Sequence, residues 1–191
     1  MDLTGWIVAA HREIGARVRS QVLSRVPHDR WNERPCDRSA SIVWLLWHAT
    51  RHQDIAIHAV ARCGDDVLTS GGWAERVGAT GFAPGLGLSE ADDRAAAAAL
   101  DPQAVEAYAD AVWTATSAWL ATIGATELER VPDATAGLDR HGVDLEEYDW
   151  LDRMWSAQPV AFHVQWEATG HGYLHLGELV HLRNELGLGG R

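Results

Sequence analysis

The sequence contains no lysine: all 16 basic residues are arginine, set against 27 acidic residues and a formal net charge of −11. An acidic chain disfavours nonspecific binding to nucleic acid, because such binding draws its free energy from the neutralisation of phosphates. No basic cluster with interleaved aromatic residues offsets this tendency. The composition therefore predicts that no nucleic acid is a partner.

Cysteine is scarce, and long apolar runs are missing. Cys36 falls in a proline-flanked loop and Cys63 near a predicted helix end, so we expect two free, buried or half-buried thiols and no disulfide framework. No apolar run approaches the length of a membrane span. The first residues reach charged side chains after a short apolar stretch, which argues against a signal peptide. We therefore expect a cytoplasmic protein with no membrane partner.

No stretch alternates apolar and polar residues as a strand does. Apolar residues recur instead at helical spacing in four long segments, bounded by capping residues, proline and glycine. Four such helices with two long connections predict an all-α four-helix bundle with two long crossovers, forming one domain over residues 1–191. The predicted helices run from about Leu3 to Val26, from Ser39 or Ser41 to Cys63 before Gly64, from Pro102 after the cap Asp101 to Gly124, and from Pro159 to Leu186 before Gly187.

The two long connections are expected to be functional. Long segments without regular structure are uncommon in compact domains and often form lids or binding loops. We expect both connections to lie over one end of the bundle and shape the entrance to a site; the alternative is that they are surface decoration. Within them, short helices are predicted at Trp73–Val77 and near Leu145–Trp155.

The segment HGYLHLGEL in the fourth helix is the most informative motif. Its His171 and His175 are four residues apart, so both imidazoles lie on one helical face, at a spacing suited to one metal ion. Apolar residues at both ends of that face indicate that it is buried, with Glu167 and Glu178 one turn to either side. A lone inward histidine is usually a core residue bonded to a carbonyl. Two stacked histidines between two carboxylates favour a divalent cation, because buried polar groups need partners.

A third candidate ligand lies in the apolar segment SIVWLLWHATRHQD. His48 shares a helical face with apolar residues and should point into the core, while His52, one turn later, competes for the same role. Glu167 and Glu178 are predicted to orient a ligand imidazole through its other N–H group. His58 is predicted to be on the surface. The remaining histidines lie off the buried faces or in regions without a pattern: His11, His28, His141, His163 and His181.

These two segments resemble the signature regions of the DinB-like superfamily of metal-binding four-helix bundles. Members are similar in carrying one histidine in the second helix and an H-x3-H pair in the fourth. The segment ATELERVP also resembles a connection found in this group. The resemblance covers essentially the whole chain. Where members typically have Arg-Gly-Gln after the pair, this chain has Leu176, Gly177 and Glu178, so only the glycine matches.

The resemblance implies a divalent metal, zinc or nickel, held by His48, His171 and His175. Several branches are S-transferases that use bacillithiol, mycothiol or glutathione. One branch contains mycothiol-dependent maleylpyruvate isomerases, where a glutamate commonly replaces the residue that is His171 here. Sulfoxide synthases of ergothioneine biosynthesis carry a related domain with a glutamate where this chain has Gly177.

Three neutral imidazoles would leave the full charge of the cation for a fourth ligand, such as a thiolate. We therefore expect a metal-dependent thiol S-transferase acting on small electrophiles. Mycothiol is favoured over bacillithiol, because a composition rich in alanine, glycine and arginine is typical of GC-rich genomes. Arg51 and Arg183 are candidates for binding substrate carboxylates, against the simpler interpretation that they are solvated.

Two other functions remain open at this point. One is hydrolysis, with the metal activating water and Glu167 or Glu178 serving as base. The other is a stress-linked metal-binding protein without turnover.

Ten tryptophans also suggest a homodimer, since most should fill the core and some should be buried against a second copy.

Overall fold

Four long helices form the body of the protein. The structure is a computed structural model that describes residues 2–79 and 90–189, and within these ranges it contains helices and turns but no strand. The predicted all-α four-helix bundle is therefore confirmed. The first long helix is α1 (Leu3–Val18), continued by π-helical Arg19–Leu23 and followed by a 3-10 turn at His28–Arg30; the second is α2 (Ile42–Asp54), continued by π-helical Ile55–Ala61. The first connection then contains α3 (Val67–Ser70), α4 (Trp73–Val77) and α5 (Glu90–Ala99), and the third long helix is α6 (Pro102–Leu120). The second connection contains α7 (Ala125–Glu129), α8 (Ala134–Arg140) and α9 (Asp149–Trp155), and the fourth long helix consists of α10 (Val160–Phe162), π-helical His163–Gly170 and α11 (His171–Glu185).

Local capping chemistry explains where several helices begin and end. The Asp101 carboxylate accepts a hydrogen bond from the Ala104 amide, and Pro102 occupies the first turn of α6 as predicted. Ser41, the second of the two predicted caps, precedes α2. Gly187 adopts a left-handed φ of 77° after α11, whereas after the second helix Cys63, not Gly64, is the left-handed residue.

Three of the four long helices contain a π-helical stretch. A π turn closes hydrogen bonds from residue i to i+5 and so takes more residues than an α turn. Side chains beyond such a turn therefore lie at angles that a uniform helical wheel places incorrectly. The second and fourth helices carry their π stretches side by side, at Ile55–Ala61 and His163–Gly170.

The two long connections contact different segments of the second helix. In the first, α3 and α4 pack against α6 and α2, and the Asp54 carboxylate accepts hydrogen bonds from the Val67 and Leu68 amides. Residues 80–89 lie outside the described residues, so the prediction that this connection shapes the entrance to a site can be compared with the structure only at the two ends of the connection. In the second, α8 and α9 pack over the π-helical end of the second helix, where Trp155 is fully buried.

The structure gives no sign of a membrane span. Within residues 2–79 and 90–189, no helix combines the length and the apolar character that crossing a bilayer requires.

Candidate metal centre

The second and fourth long helices bring three histidines together. His48 lies on α2, and His171 and His175 lie on α11; one nitrogen from each ring lies within 4.8 Å of the others. The ring centroids are separated by 4.4 Å for His171 and His175, 4.8 Å for His48 and His175, and 5.4 Å for His48 and His171. The predicted trio is thus a spatial cluster that could hold a metal ion.

Burial disfavours protonation of the two histidines on α11. All three histidines of the cluster are at most 8% exposed. Burial, together with the neighbouring imidazoles of His52, His175 and His48, lowers the pKa of His171 from 6.5 to about 2. The pKa of His175 is lowered by the same burial, although the Glu178 carboxylate opposes that shift. Neutral imidazoles retain the lone pairs with which histidine binds metals.

The hydrogen bonds of His175 direct one of these lone pairs into the cluster. Its Nδ1 donates to Glu178 Oε2 at 2.6 Å, so the Nε2 of the neutral ring carries a lone pair. That Nε2 lies 2.9 Å from His171 Nε2, while the buried Nδ1 of His171 has no hydrogen-bond partner among the described residues. A carboxylate behind a ligand imidazole is the arrangement that supports metal binding in proteins.

The spacing of the two nitrogens is close to that of a zinc site. Ligand bonds of 2.0–2.1 Å at tetrahedral angles place two nitrogens about 3.3 Å apart. His171 and His175 would therefore have to separate by only a few tenths of an ångström to share one ion. The chemistry and geometry of this donor set fit a divalent metal.

A second group of possible ligands shares His171. It consists of His52, Glu167 and His171, whose donor atoms also lie within 4.8 Å of one another. His52 Nδ1 lies 2.7 Å from Glu167 Oε2, and Trp155 Nε1 donates to Glu167 Oε1 at 2.7 Å. Glu167 therefore orients His52, not one of the three clustered histidines, whereas Glu178 contacts a member of the trio as predicted.

Tryptophans from the second connection and the fourth helix surround these histidines. Trp150 is stacked on His52 with ring centroids 6.1 Å apart, and Trp155 contacts His52 edge-on at 5.3 Å. Trp166, which is partly exposed, lies 6.2 Å from His171. The expectation that the second connection shapes the site agrees with the positions of Trp150 and Trp155, although the sequence alone did not single these residues out.

Comparison with known proteins identifies the family. A model of the DinB superfamily matches residues 15–179, which include all the clustered histidines. The chain belongs to the DinB superfamily. A solved structure described as a conserved protein from Enterococcus faecalis superposes with a TM-score of 0.72, at 18% identity and 97% coverage of each chain, which supports the fold alone. No curated protein matches the sequence.

In this DinB-superfamily chain, the two arginines predicted to bind substrate already bind other groups of the protein. Arg51 is completely buried and forms ion pairs with Asp54 at 3.1 Å and Asp66 at 2.6 Å, so the interpretation as a solvated residue is wrong. Its guanidinium is held by these carboxylates and is not open to a substrate. Arg183 is largely buried and donates to the Gln21 carbonyl and to its neighbour Asn184.

Two other histidines, His58 and His163, differ from expectation. His58, predicted to be on the surface, is buried and lies 3.1 Å from Thr116 Oγ1. His163, predicted to lie off the buried face, is also buried, and neither of its ring nitrogens has a hydrogen-bond partner in the part of the chain that the structure describes. His11, for which the sequence made no prediction, is buried as well. His58 and His163 lie within π-helical stretches, where uniform α-helical spacing fails.

The exposure of the two cysteines also differs from the prediction. Both Cys36 and Cys63 are free but exposed, not buried or half-buried as predicted. The Sγ of Cys36 accepts a hydrogen bond from Ser39, and the Cys63 thiol contacts Val60 and Arg130. Neither thiol contacts the histidine cluster in the structure.

Proposed function

We propose that this DinB-superfamily protein is a divalent-metal-dependent transferase that joins a low-molecular-weight thiol to a small electrophile. The observation that carries the proposal is the buried trio His48, His171 and His175, whose donor atoms converge from two helices. Three protein ligands leave a coordination position open, which is the arrangement of catalytic metal sites.

The donor set also favours a thiol as the fourth ligand. Zinc or nickel held by three neutral imidazoles would keep its +2 charge and would lower the pKa of a coordinating thiol, the more so in a buried site. The protein supplies no thiol of its own there, since Cys36 and Cys63 make their contacts elsewhere. The thiol is therefore a co-substrate, with mycothiol as the first choice and bacillithiol as the second.

The chain's own residues have distinct supporting roles. Glu178 holds His175 in the tautomer that turns Nε2 inward, and Glu167 fixes the ring of His52 beside the trio. Trp150 and Trp155 provide apolar walls that exclude water and that suit the body of an electrophile.

Hydrolysis is the second candidate function, and one observation favours it: His52 is oriented by Glu167 as a base would be. Glu167 and Glu178, which the sequence offers as the catalytic base, fit that role less well. Both oxygens of Glu167 accept hydrogen bonds, from His52 and Trp155, and Glu178 is engaged with His175. Thiol transfer is therefore the function that we prefer.

Metal content is the first test. Protein purified without a histidine tag and incubated with zinc or nickel should retain up to one equivalent by elemental analysis after desalting. His175→Ala should lose it. His181→Ala is the matched control, because this exposed histidine lies on the same helix. Full retention of metal by His175→Ala would refute the site.

A thiol panel tests the reaction. Metal-loaded protein should accelerate conjugation of mycothiol or bacillithiol to an electrophilic substrate, and His171→Ala should lose that acceleration. The same thiol should change the visible spectrum of the cobalt-substituted protein. If no thiol changes the spectrum and esters or amides are cleaved, the enzyme is a hydrolase. If nothing turns over, the protein binds metal without catalysis.

A further inference from the structure

A groove between α1 and α6 forms a cavity of about 330 Å³ that shares no lining residue with the histidine cluster. This volume is at the lower end of the range for small-ligand sites. Polar and aromatic side chains dominate its walls, although it lies between two amphipathic helices. The residues that matter for its chemistry are His11, Arg12, Gly15, Arg19, Trp113 and Ser117.

Hydrogen bonding fixes the chemical character of the inner wall. The amide nitrogen of Gln53 lies 2.9 Å from His11 Nε2 and 3.0 Å from Thr116 Oγ1, and an amide NH₂ group is a donor only. His11 Nε2 is therefore an acceptor, so the hydrogen of the neutral ring is on Nδ1. This Nδ1 donates to Ser117 Oγ at 3.0 Å.

Neutrality of His11 supports this assignment, because burial lowers its pKa from 6.5 to about 4. The Ser117 Oγ accepts from His11 and has no other hydrogen-bond partner within the described part of the chain. Its own O–H group is consequently available as a donor at the inner wall of the groove.

The mouth of the groove is cationic. Arg12 is exposed and has no carboxylate partner among the described residues. Arg19 donates to Asp110 at 2.5 Å and also lies over the Trp113 ring, 4.9 Å from the ring centroid. The unpaired Arg12 therefore lines the same groove as the Trp113 ring, on a chain whose net charge is −11.

Gly15 allows the ring to approach the helix. A Cβ at this position would lie 3.2 Å from two atoms of the Trp113 ring, which is tighter than ordinary contact. Glycine inside a helix lowers helix stability relative to alanine. This glycine shapes the wall of the groove at the expense of helix propensity.

We propose that the groove is a second ligand site, which binds a small carboxylate carrying a flat apolar ring. The carboxylate is bound between the Arg12 guanidinium and the Ser117 hydroxyl, and the ring lies against Trp113. A carboxylate matches both donors, since charge-assisted hydrogen bonds from arginine are the strong ones. The site does not depend on the metal centre or on the reaction proposed there.

The test uses benzoate as the probe and benzamide, its neutral analogue, as the matched ligand. Calorimetric titration of the full chain should give a dissociation constant of about 1 mM or lower for benzoate and at least about tenfold weaker binding of benzamide. Arg12→Ala should weaken benzoate binding by about tenfold. Arg25→Ala, which replaces an exposed arginine in the turn after the first helix, should leave it unchanged. Circular dichroism confirms that each variant is folded.

Three results would overturn the proposal. The first is equal binding of benzoate and benzamide, or no binding of either. The second is unchanged affinity in the Arg12→Ala variant. The third is loss of benzoate binding in the His48→Ala variant while Arg12→Ala binds normally, which would place the carboxylate at the metal centre. Gly15→Ala provides a second variant, since narrowing the wall should weaken benzoate binding with every charge retained.

Discussion

Among single residues, Glu178 is well suited to control metal affinity without being a ligand itself. It is half-exposed, yet its carboxylate lies 2.6 Å from His175 Nδ1. We expect Glu178→Ala to weaken zinc binding by about 10- to 100-fold, because His175 loses the group that fixes its tautomer and ring orientation. Competition with a chromophoric chelator measures the change.

Glu185 provides the control for this substitution. It is an exposed glutamate near the end of the same helix, so Glu185→Ala removes the same charge without touching a histidine. If both substitutions weaken zinc binding equally, the effect comes from general electrostatic attraction and not from the hydrogen bond to His175.

Arg51 makes a structural contribution that the sequence did not suggest. It is fully buried between Asp54 and Asp66, and Asp54 also accepts from the Tyr108 hydroxyl at 2.6 Å. Arg51→Leu should lower the free energy of unfolding by about 3–5 kcal/mol, because two buried carboxylates lose their cation. Urea denaturation measures it. Arg153→Leu, which removes an exposed ion pair with Asp149, should cost at most about 1 kcal/mol.

At the scale of helices, the sequence predicts well where the long helices lie and less well which of their side chains are buried. Asp101, Pro102 and Gly187 mark helix ends that the structure confirms, since capping is local chemistry. The π turns depend on tertiary packing and leave no simple sequence pattern. They explain why the surroundings of His58 and His163 were predicted wrongly, while His171 and His175, in a regular α-helical stretch, share the predicted face.

The junction of α1, α2 and α6 should make stability depend on pH. Burial, reinforced by the nearby Arg62, lowers the pKa of His58 to about 3, and burial lowers that of His11 to about 4, so both are neutral in the folded protein near pH 7. In the unfolded chain they bind protons below about pH 6.5. The unfolded state therefore binds more protons, and stability falls as the pH is lowered from about 6.5 towards 4.

The loss should be on the order of 2 kcal/mol per histidine between pH 7 and pH 5. Urea midpoints at the two pH values measure it, and His58→Gln should lose less stability than the parent over this interval. A pH dependence identical in parent and variant would show that His58 titrates normally in the folded state.

At the scale of the molecule, helical periodicity predicted that His48, His171 and His175 lie on buried faces, which meet in the core of a bundle. The resemblance to the DinB-like superfamily then implied that the three form one metal site. The sequence could not predict the tryptophan walls, which come from α9 and depend on how a long connection folds back over the second helix. Nor could it assign Glu167 to His52, since helical periodicity does not determine which inward imidazole of the second helix lies opposite this carboxylate.

The molecule also exposes an apolar surface where the first and fourth helices meet. Trp6 is 59% exposed and lines, with the exposed Leu3, a groove of about 330 Å³; Trp166 and Leu174 are also exposed on the fourth helix. Exposed apolar surface of this kind marks interaction sites. A two-fold dimer that pairs this surface with itself would cover it on both copies.

We therefore predict a homodimer at micromolar concentration, with a light-scattering mass of twice 20.9 kDa. Trp6→Glu should shift it towards monomer, because burying an unpaired carboxylate in an apolar interface is costly. Gln103→Glu adds the same charge at an exposed position on α6, outside the surface, and should leave the mass unchanged. A monomeric parent would remove the prediction. A parent dimer unaffected by Trp6→Glu would place the interface on another face, because a charge at the centre of this one could not be accommodated without loss of affinity.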